Sequence, residues 1–541
     1  MHPTACLATQ LAGQRLAVLG GGLTGLSTAF YLSRQHPDAQ IVLLEGSPRY
    51  GGWVRSVRAT PSRIRPALLD EHAKPTGEHE EVIFEAGPRS VRPRGLEGWL
   101  TLDLVRQLGL TKELLVVDKN HVSAFNRFIY YPDKLVKLPS GITSLLRATL
   151  SSDSVLRSLL PALLGEPFRR RKPEQALQTD ESVHSFFSRR FGDAFATNLV
   201  SGMVHGIYAG DTRTLSVGAT FGSIAKLEQQ YGSLIVALLR GGVKSDPEQT
   251  RLVKELQDLM PIDERTNLRS ASVWSLRGGL ETLTLGLEMA LRRADNVTLS
   301  RDDPIQSIAH DPSGFTVSTT STKHVTDRIV STLSGPSLSS LLSADMPELT
   351  ANGSVNVGVV NLAFANKPGK RLLPVRGFGY LLPRSVPEHQ NPYKALGAVF
   401  DSDMMPEMHP PETEASPGYT KLSVLLGGAH WTGRSIESLP TDDELEIQAL
   451  ATVQSHLGIS DLPTHSRVHM QRDCIPQYLV GHPDRMRTLH ERIAQTYRGR
   501  LSVAGASYTG VGLNNCVKAA WSVSRAMATE QVTGLESFLA S

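Results

Sequence analysis

The chain has 541 residues, of which 40% are hydrophobic and 20% charged, so it holds enough apolar material for several ordinary globular units. Lysine plus arginine exceed aspartate plus glutamate by 56 − 53 = 3, which gives no global footprint for nucleic acid. Three cysteines without a CxxC argue against a disulfide scaffold and a zinc centre, and no run of about 20 apolar residues suggests a spanning helix.

Residues 1–14 lack the basic flank and long apolar run of a signal peptide, so none is expected there. Arg15–Leu19 is a short apolar run that predicts a buried parallel strand. Gly20, Gly21, Gly22, Leu23, Thr24 and Gly25 follow as GxGxxG. Leu23, Leu26 and Phe30 then recur at helical spacing, and Ile41–Leu44 reads as a second strand closed by Glu45. In that order the glycines permit a tight turn, close backbone approach to a pyrophosphate and close helix–strand packing. Glu45 stands where a carboxylate can accept the ribose hydroxyls of an adenosine, and its charge disfavours a 2′-phosphate. The stretch continues through Arg49, Gly51, Gly52 and Trp53 as E-x-x-x-R-x-G-G. A second glycine pair there suits a flavin site rather than a nicotinamide site, with Arg49 able to meet phosphate charge. The whole stretch resembles the two-dinucleotide-binding motif of amine-oxidase-like flavoproteins, which implies FAD.

Residues 59–81 are polar and proline-bearing, which predicts an exposed loop, and Val82–Glu85 predicts a strand leading into Gly87, Pro88, Arg89 and Ser90. Helical patterns dominate from Gly95 to Thr212, one of them opening with Asp180 as N-cap. Residues 142–172 combine many leucines with a closing Arg169-Arg170-Arg171-Lys172 run. A membrane-interface segment and a pair of core helices with a solvated exit both fit that pattern. Another helix opens at Gly278-Gly279-Leu280, and strands are predicted at Phe315–Thr319, Ile329–Leu333, Ser354–Phe364, Gly377–Pro383, Leu396–Phe400 and Lys421–Gly427. Residues 401–417 read as a loop. Near the C-terminus, Leu501–Tyr508 is a strand entering a small-residue turn, and Val511, Gly512 and Leu513 open a helix whose N-terminus can face negative charge. No second GxGxxG follows a strand, so an oxidase is expected rather than a reductase.

Beyond these elements the chain resembles the protoporphyrinogen oxidase family of haem biosynthesis, of the eukaryotic mitochondrial kind. The strings that carry the resemblance include RYGGWVRSVR, IFEAGPRSVRPRG, FNRFIYY, HGIYAGDTRTLS, VRGFGYLLP, CIPQYLVGH and AGASYTGVGLNNC. It implies an α/β fold: a discontinuous Rossmann-like FAD-binding domain, a mixed-sheet substrate domain and a helical membrane-binding domain. The expected FAD segments are residues 13–92, 213–335 and 488–541, with a helical part at 93–212 and a substrate sheet at 336–487. It implies non-covalent FAD touching Gly20–Gly25, Glu45, Arg49, Gly52, Trp53, Gly87–Ser90, Ile305 and Val511–Leu513. It implies that Arg127 pairs with a porphyrinogen propionate, that Phe378, Gly379, Leu381 and Leu425 wall the macrocycle, and that the Gly206 carbonyl faces pyrrole N–H groups. Residues 59–81 and 244–268 read as departures from the family pattern.

The implied reaction removes six electrons from protoporphyrinogen IX and reduces O2 to H2O2. Hydride would pass from a meso carbon to flavin N5, with no acid or base residue, no metal and no nucleic acid involved. His205, His430 and His482 are expected to be structural. The family expectation places the enzyme peripherally on the intermembrane-space side of the mitochondrial inner membrane, with a homodimer and ferrochelatase as further candidate partners. A flavin amine oxidase and a non-catalytic Rab-GDP-dissociation-inhibitor-like protein are the competing readings of the same architecture.

Overall fold

The computed structural model describes residues 11–58, 60–61, 82–148, 153–169, 180–242, 246–367, 369–408, 418–527 and 532–539. A five-stranded parallel sheet runs in the order Val297–Ser300, Gln40–Leu44, Arg15–Leu19, Arg328–Ser331, Leu501–Val503. Its strands come from three distant parts of the chain. They are nearly continuous in apolar residues because both faces are covered. Leu16 and Val18 pack on one side with Leu26 and Phe30 of the helix Leu23–Gln35 and with Val517 and Ala520 of the C-terminal helix Leu513–Ala526. Ala17 and Leu19 pack on the other side with Phe315, Val317, Leu489 and Ile493.

The second sheet has eight strands in the order Thr60–Pro61, His465–Pro476, Ser354–Ala365, Tyr419–Gly427, Ala395–Val399, Gly379–Leu381, Phe128–Tyr130, Leu135–Lys137. All its pairings are antiparallel except that of Gly379–Leu381 with Phe128–Tyr130. Residue alternation splits its faces. Leu422, Val424 and Leu426 point to a core closed by Leu445, Ala449 and Val453 of the helix Asp442–Leu457. Lys421, Ser423 and Leu425 alternate with them and so point to the opposite face, where Leu425 packs beside Val357, Val359 and Ala209.

Several local expectations are corrected. The helix Val183–Phe191 is capped by Ser182, whose Oγ accepts from Ser185 N at 3.0 Å. Asp180 instead accepts from the backbone N–H groups of Glu181, Gly218 and Gly481, so long-range partners outcompete the cap. Strands at Leu114–Asp118, Phe128–Tyr130 and Leu135–Lys137 interrupt the region read as helical, and a helical turn, Asp401–Met404, opens the segment read as a loop. Residues 62–81 lie outside the described residues, whereas the 244–268 departure holds the helix Pro247–Asp258 and most of Ile262–Ser270. The leucine-rich stretch forms the helices Ile142–Ala148 and Ser154–Gly165, with Val155 and Leu159 buried against Ile129.

Candidate active site

The helices Leu23–Gln35 and Leu513–Ala526 begin at Gly22 and Gly512, and neither N-terminus has a side-chain cap. Both therefore present unclaimed backbone donors and positive dipole ends. The two helices pack together, and the turn before the second meets the first: a Cβ on Gly505 would lie 3.2 Å from Thr24 Oγ1. Asn514 and Asn515 do not cap their helix. Asn514 instead donates through Nδ2 to the Arg92 carbonyl at 2.9 Å.

The glycines divide by what demands them. A Cβ on Gly25 would fall 1.8 Å from the Gly20 carbonyl oxygen, so helix–strand packing alone requires glycine there. A Cβ on Gly22 would meet nothing nearer than the Gly52 Cα at 3.9 Å. Gly51 bridges to Gly22 in parallel, and its N–H donates to the Gly21 carbonyl at 2.8 Å, so the second glycine pair lies directly against the first. Glu45 closes the same corner: its carboxylate accepts from Gly21 N at 2.6 Å and Ser47 N at 2.8 Å. Ile305 opens a hairpin beside it, since the preceding Asp303 N donates to the Glu45 carbonyl. Arg49 is engaged by protein, donating to the carbonyls of Tyr50, Gly52 and Val54 and pairing with Glu281 at 3.4 Å. Gly87 meets Trp53, whose carbonyl would lie 2.3 Å from an added Cβ. Trp53 itself is 47% exposed.

Pro88, Arg89 and Ser90 continue from Gly87 toward the second sheet. Arg89 is buried and pairs with Asp401 at 3.2 Å, and Ser90 Oγ lies 3.6 Å from Met404 Sδ. Ser423 Oγ lies 2.6 Å from both Asp401 Oδ2 and Asn361 Oδ1, so the two oxygens share its one proton. Lys421 donates to the Ile83 carbonyl, and burial pulls its ammonium down to about 8. Burial likewise pushes the Glu85 carboxyl up to about 7, against donors from Leu280 N and Ser56 Oγ. This buried network joins the first half of the chain to the strand that carries Leu425. Sequence reasoning missed it. The visible signal is polar Lys421 and Ser423 alternating on an otherwise apolar strand.

On the far wall, Leu381 faces Gly206: a Cβ on Gly206 would lie 2.7 Å from Leu381 Cδ2. Gly379 is fixed by the sheet, with an added Cβ only 2.1 Å from the Ala398 carbonyl. Phe378 is half-buried against Leu115, Val117 and Met404, and its N–H donates to the Asn126 carbonyl at 3.0 Å. That bond sets Phe378 one residue from Arg127. The Arg127 guanidinium is exposed and has no hydrogen bond or ion pair among the described residues. Behind this wall, Tyr380 and Tyr130 are clamped by His456, which stacks on Tyr130 at 3.9 Å and bonds Tyr380 Oη at 3.0 Å. His205 is tied to the Leu382 carbonyl at 2.7 Å and His482 to Asn352 and the Tyr508 carbonyl.

The flavin containing amine oxidoreductase model matches residues 23–528. Protoporphyrinogen oxidase of Schizosaccharomyces pombe is 35% identical over 520 residues, covering 95% of this chain and 98% of that protein. The chain belongs to the protoporphyrinogen oxidases of the flavin containing amine oxidoreductase family. The Homo sapiens protoporphyrinogen oxidase is 34% identical, covering 94% of this chain and 96% of that one. A solved structure from Exiguobacterium sp. 255-15 superposes with a TM-score of 0.70 at 25% identity, covering 96% and 99% of the two chains. The cofactor of this protoporphyrinogen oxidase family member is FAD. The residues fit it: two uncapped helix N-termini converge, and Gly22 keeps open a space that no protein atom claims.

Proposed function

We propose that the chain oxidises protoporphyrinogen IX to protoporphyrin IX, the penultimate step of haem biosynthesis, passing six electrons to O2 and yielding H2O2. The observation that carries this reading is similarity to protoporphyrinogen oxidases along 94–95% of the chain, spanning both sheets. Bound FAD would supply the two-electron acceptor for hydride from a meso carbon. The chain's own residues position and shield. Arg127 offers a propionate two parallel donors. Phe378, Leu381 and Leu425 present apolar faces to the macrocycle, Gly206 gives up its side-chain space to Leu381, and its carbonyl faces the pyrrole N–H groups. Burial lowers His205, whose Nδ1 is tied to the Leu382 carbonyl, so it stays neutral. Alignment thus replaces acid–base catalysis.

The FAD-contact residues of this reading are Gly20–Gly25, Glu45, Gly52, Trp53, Gly87–Ser90, Ile305 and Val511–Leu513, with Arg49 shaping the Gly51-Gly52 turn. We also propose the three-part division into FAD segments (13–92, 213–335, 488–541), a helical part (93–212) and a substrate sheet (336–487). The enzyme would sit peripherally on the intermembrane-space side of the mitochondrial inner membrane. Supporting this, Leu164, Phe168, Leu238 and Leu239 are 64–85% exposed, and Glu166 ties their two segments by accepting from Leu234 N and Ile235 N. Among the described residues no helix is long and apolar enough to cross a membrane.

The test is aerobic turnover of the flavin-loaded enzyme with protoporphyrinogen IX. Balance requires about three H2O2 per porphyrin, since each O2 takes two of the six electrons. A yellow protein inert toward the porphyrinogen but active on a polyamine, or a colourless one, would contradict the proposal.

A further inference from the structure

This inference rests on the substrate proposed above. Protoporphyrinogen IX carries two propionates on neighbouring pyrroles, so both acids leave the macrocycle at one edge. Arg127 accounts for one of them. Three other arginines are matched to acids: Arg89 with Asp401 at 3.2 Å, Arg384 with Asp211 at 3.3 Å and Arg49 with Glu281 at 3.4 Å. Arg92, like Arg94 and Arg376, is matched to none among the described residues, and of these three only Arg92 is tied by its carbonyl to the start of the C-terminal helix. Like Arg127 it is exposed, and among the described residues its guanidinium has no hydrogen bond or ion pair.

The two arginines sit on different parts of the fold. Arg92 follows Val91, which is bridged to Trp274, and precedes the helix Gly95–Gln107. Its carbonyl accepts from Asn514 at 2.9 Å, which pins it beside the uncapped start of the C-terminal helix. Arg127 stands immediately before the strand Phe128–Tyr130. Asn126 holds that turn to the substrate wall, accepting from Phe378 N at 3.0 Å and donating to the Arg376 carbonyl at 2.9 Å. Partial desolvation first, then the charges of Arg127 and Arg94, hold the Arg92 guanidinium below the usual arginine range. Glu97, the acid nearest in sequence, is occupied by Lys518 at 2.6 Å. A pair of unneutralised like charges disfavours the empty cleft, and an incoming dianion relieves that repulsion.

The geometry points to Arg92 as the second carboxylate anchor, so that Arg92 and Arg127 hold the two propionates of one porphyrinogen edge. The pair selects for substrates bearing two adjacent acids.

The test compares protoporphyrinogen IX with its dimethyl ester, using wild type, Arg92→Ala, Arg92→Lys, Arg127→Ala and the double variant, each with its visible flavin band recorded. Wild type should strongly prefer the diacid. Arg92→Ala should raise KM for the diacid by roughly tenfold with kcat changed less than twofold. The loss should be larger for the diacid than for the ester, Arg92→Lys should fall between, and the double variant should lose most of the preference. An Arg92→Ala enzyme with KM unchanged, with equal losses on both substrates, or without its flavin would overturn the assignment while wild-type turnover still supports the function. If flavin-loaded wild type oxidises neither substrate, the functional reading fails and this one with it.

Discussion

At position 22 an added methyl group would find almost no protein within reach, and three residues later it would strike a carbonyl oxygen at 1.8 Å. Packing within the fold therefore demands the second of these two glycines and not the first. Gly25→Ala forces the first helix off its strand, an overpacking cost of about 3 kcal/mol or more, and is expected to lower the thermal midpoint even without flavin. Gly22→Ala keeps the apo fold, because its Cβ sits in open space, but fills the room in which a pyrophosphate would approach. The expected outcome is an apo thermal midpoint within a few degrees of wild type and no flavin absorbance after loading. A yellow Gly22→Ala protein would contradict the assignment. The motif glycines and Glu45 were legible in the sequence because their spacing encodes a strand–turn–helix that few other structures need. Arg49 was legible as a residue but not in its partners: its guanidinium is taken up by the carbonyls of its own turn and by Glu281, 232 residues away.

Between elements, the most consequential joint is the buried one linking the strand Ile83–Glu85 to Tyr419–Gly427. Glu85 there has a folded pKa of about 7 against an ordinary value of 4.5, so between those values the folded state binds more protons than the unfolded. Stability from this group is present below the unfolded value and falls as pH rises through about 7. Lys421 acts at higher pH: its folded value of about 8 lies below the ordinary 10.5, so its cost is full below about 8 and relieved as pH rises toward 10.5. Glu85→Gln, which keeps the acceptor for Leu280 N and Ser56 Oγ, should flatten the decline in thermal midpoint between pH 5 and about 7. An unchanged pH profile would show that Glu85 is charged in the fold throughout. None of this was legible in the sequence, because the network's members span Ser56 to Ser423. The parallel strands Arg15–Leu19 and Gln40–Leu44 were legible, being short apolar runs bounded by turn residues. Leu114–Asp118 was not, since a run of four apolar residues does not distinguish strand from helix without its partner, here Ala271–Leu276.

Across the whole molecule, the first sheet is assembled from sequence extremes. The first strand and the strand Leu501–Val503 flank Arg328–Ser331 in one sheet, and the helices that follow the two outer strands pack against each other. The Ser423–Asp401–Arg89 joint then sets this assembly against the sheet that carries Leu381 and Leu425. This large-scale plan was legible as a resemblance at the two ends. The mixed sheet's order was not, because the parallel pairing of Phe128–Tyr130 with Gly379–Leu381 joins segments about 250 residues apart that carry no local signal for each other. A flavin bound between the two ends would accept electrons from a tetrapyrrole seated against the second sheet. Anaerobic rapid mixing of the flavin-loaded protein with protoporphyrinogen IX tests this. The oxidised flavin band should bleach within a single turnover and return on admitting O2. A flavin band that stays oxidised in the presence of the porphyrinogen would contradict it.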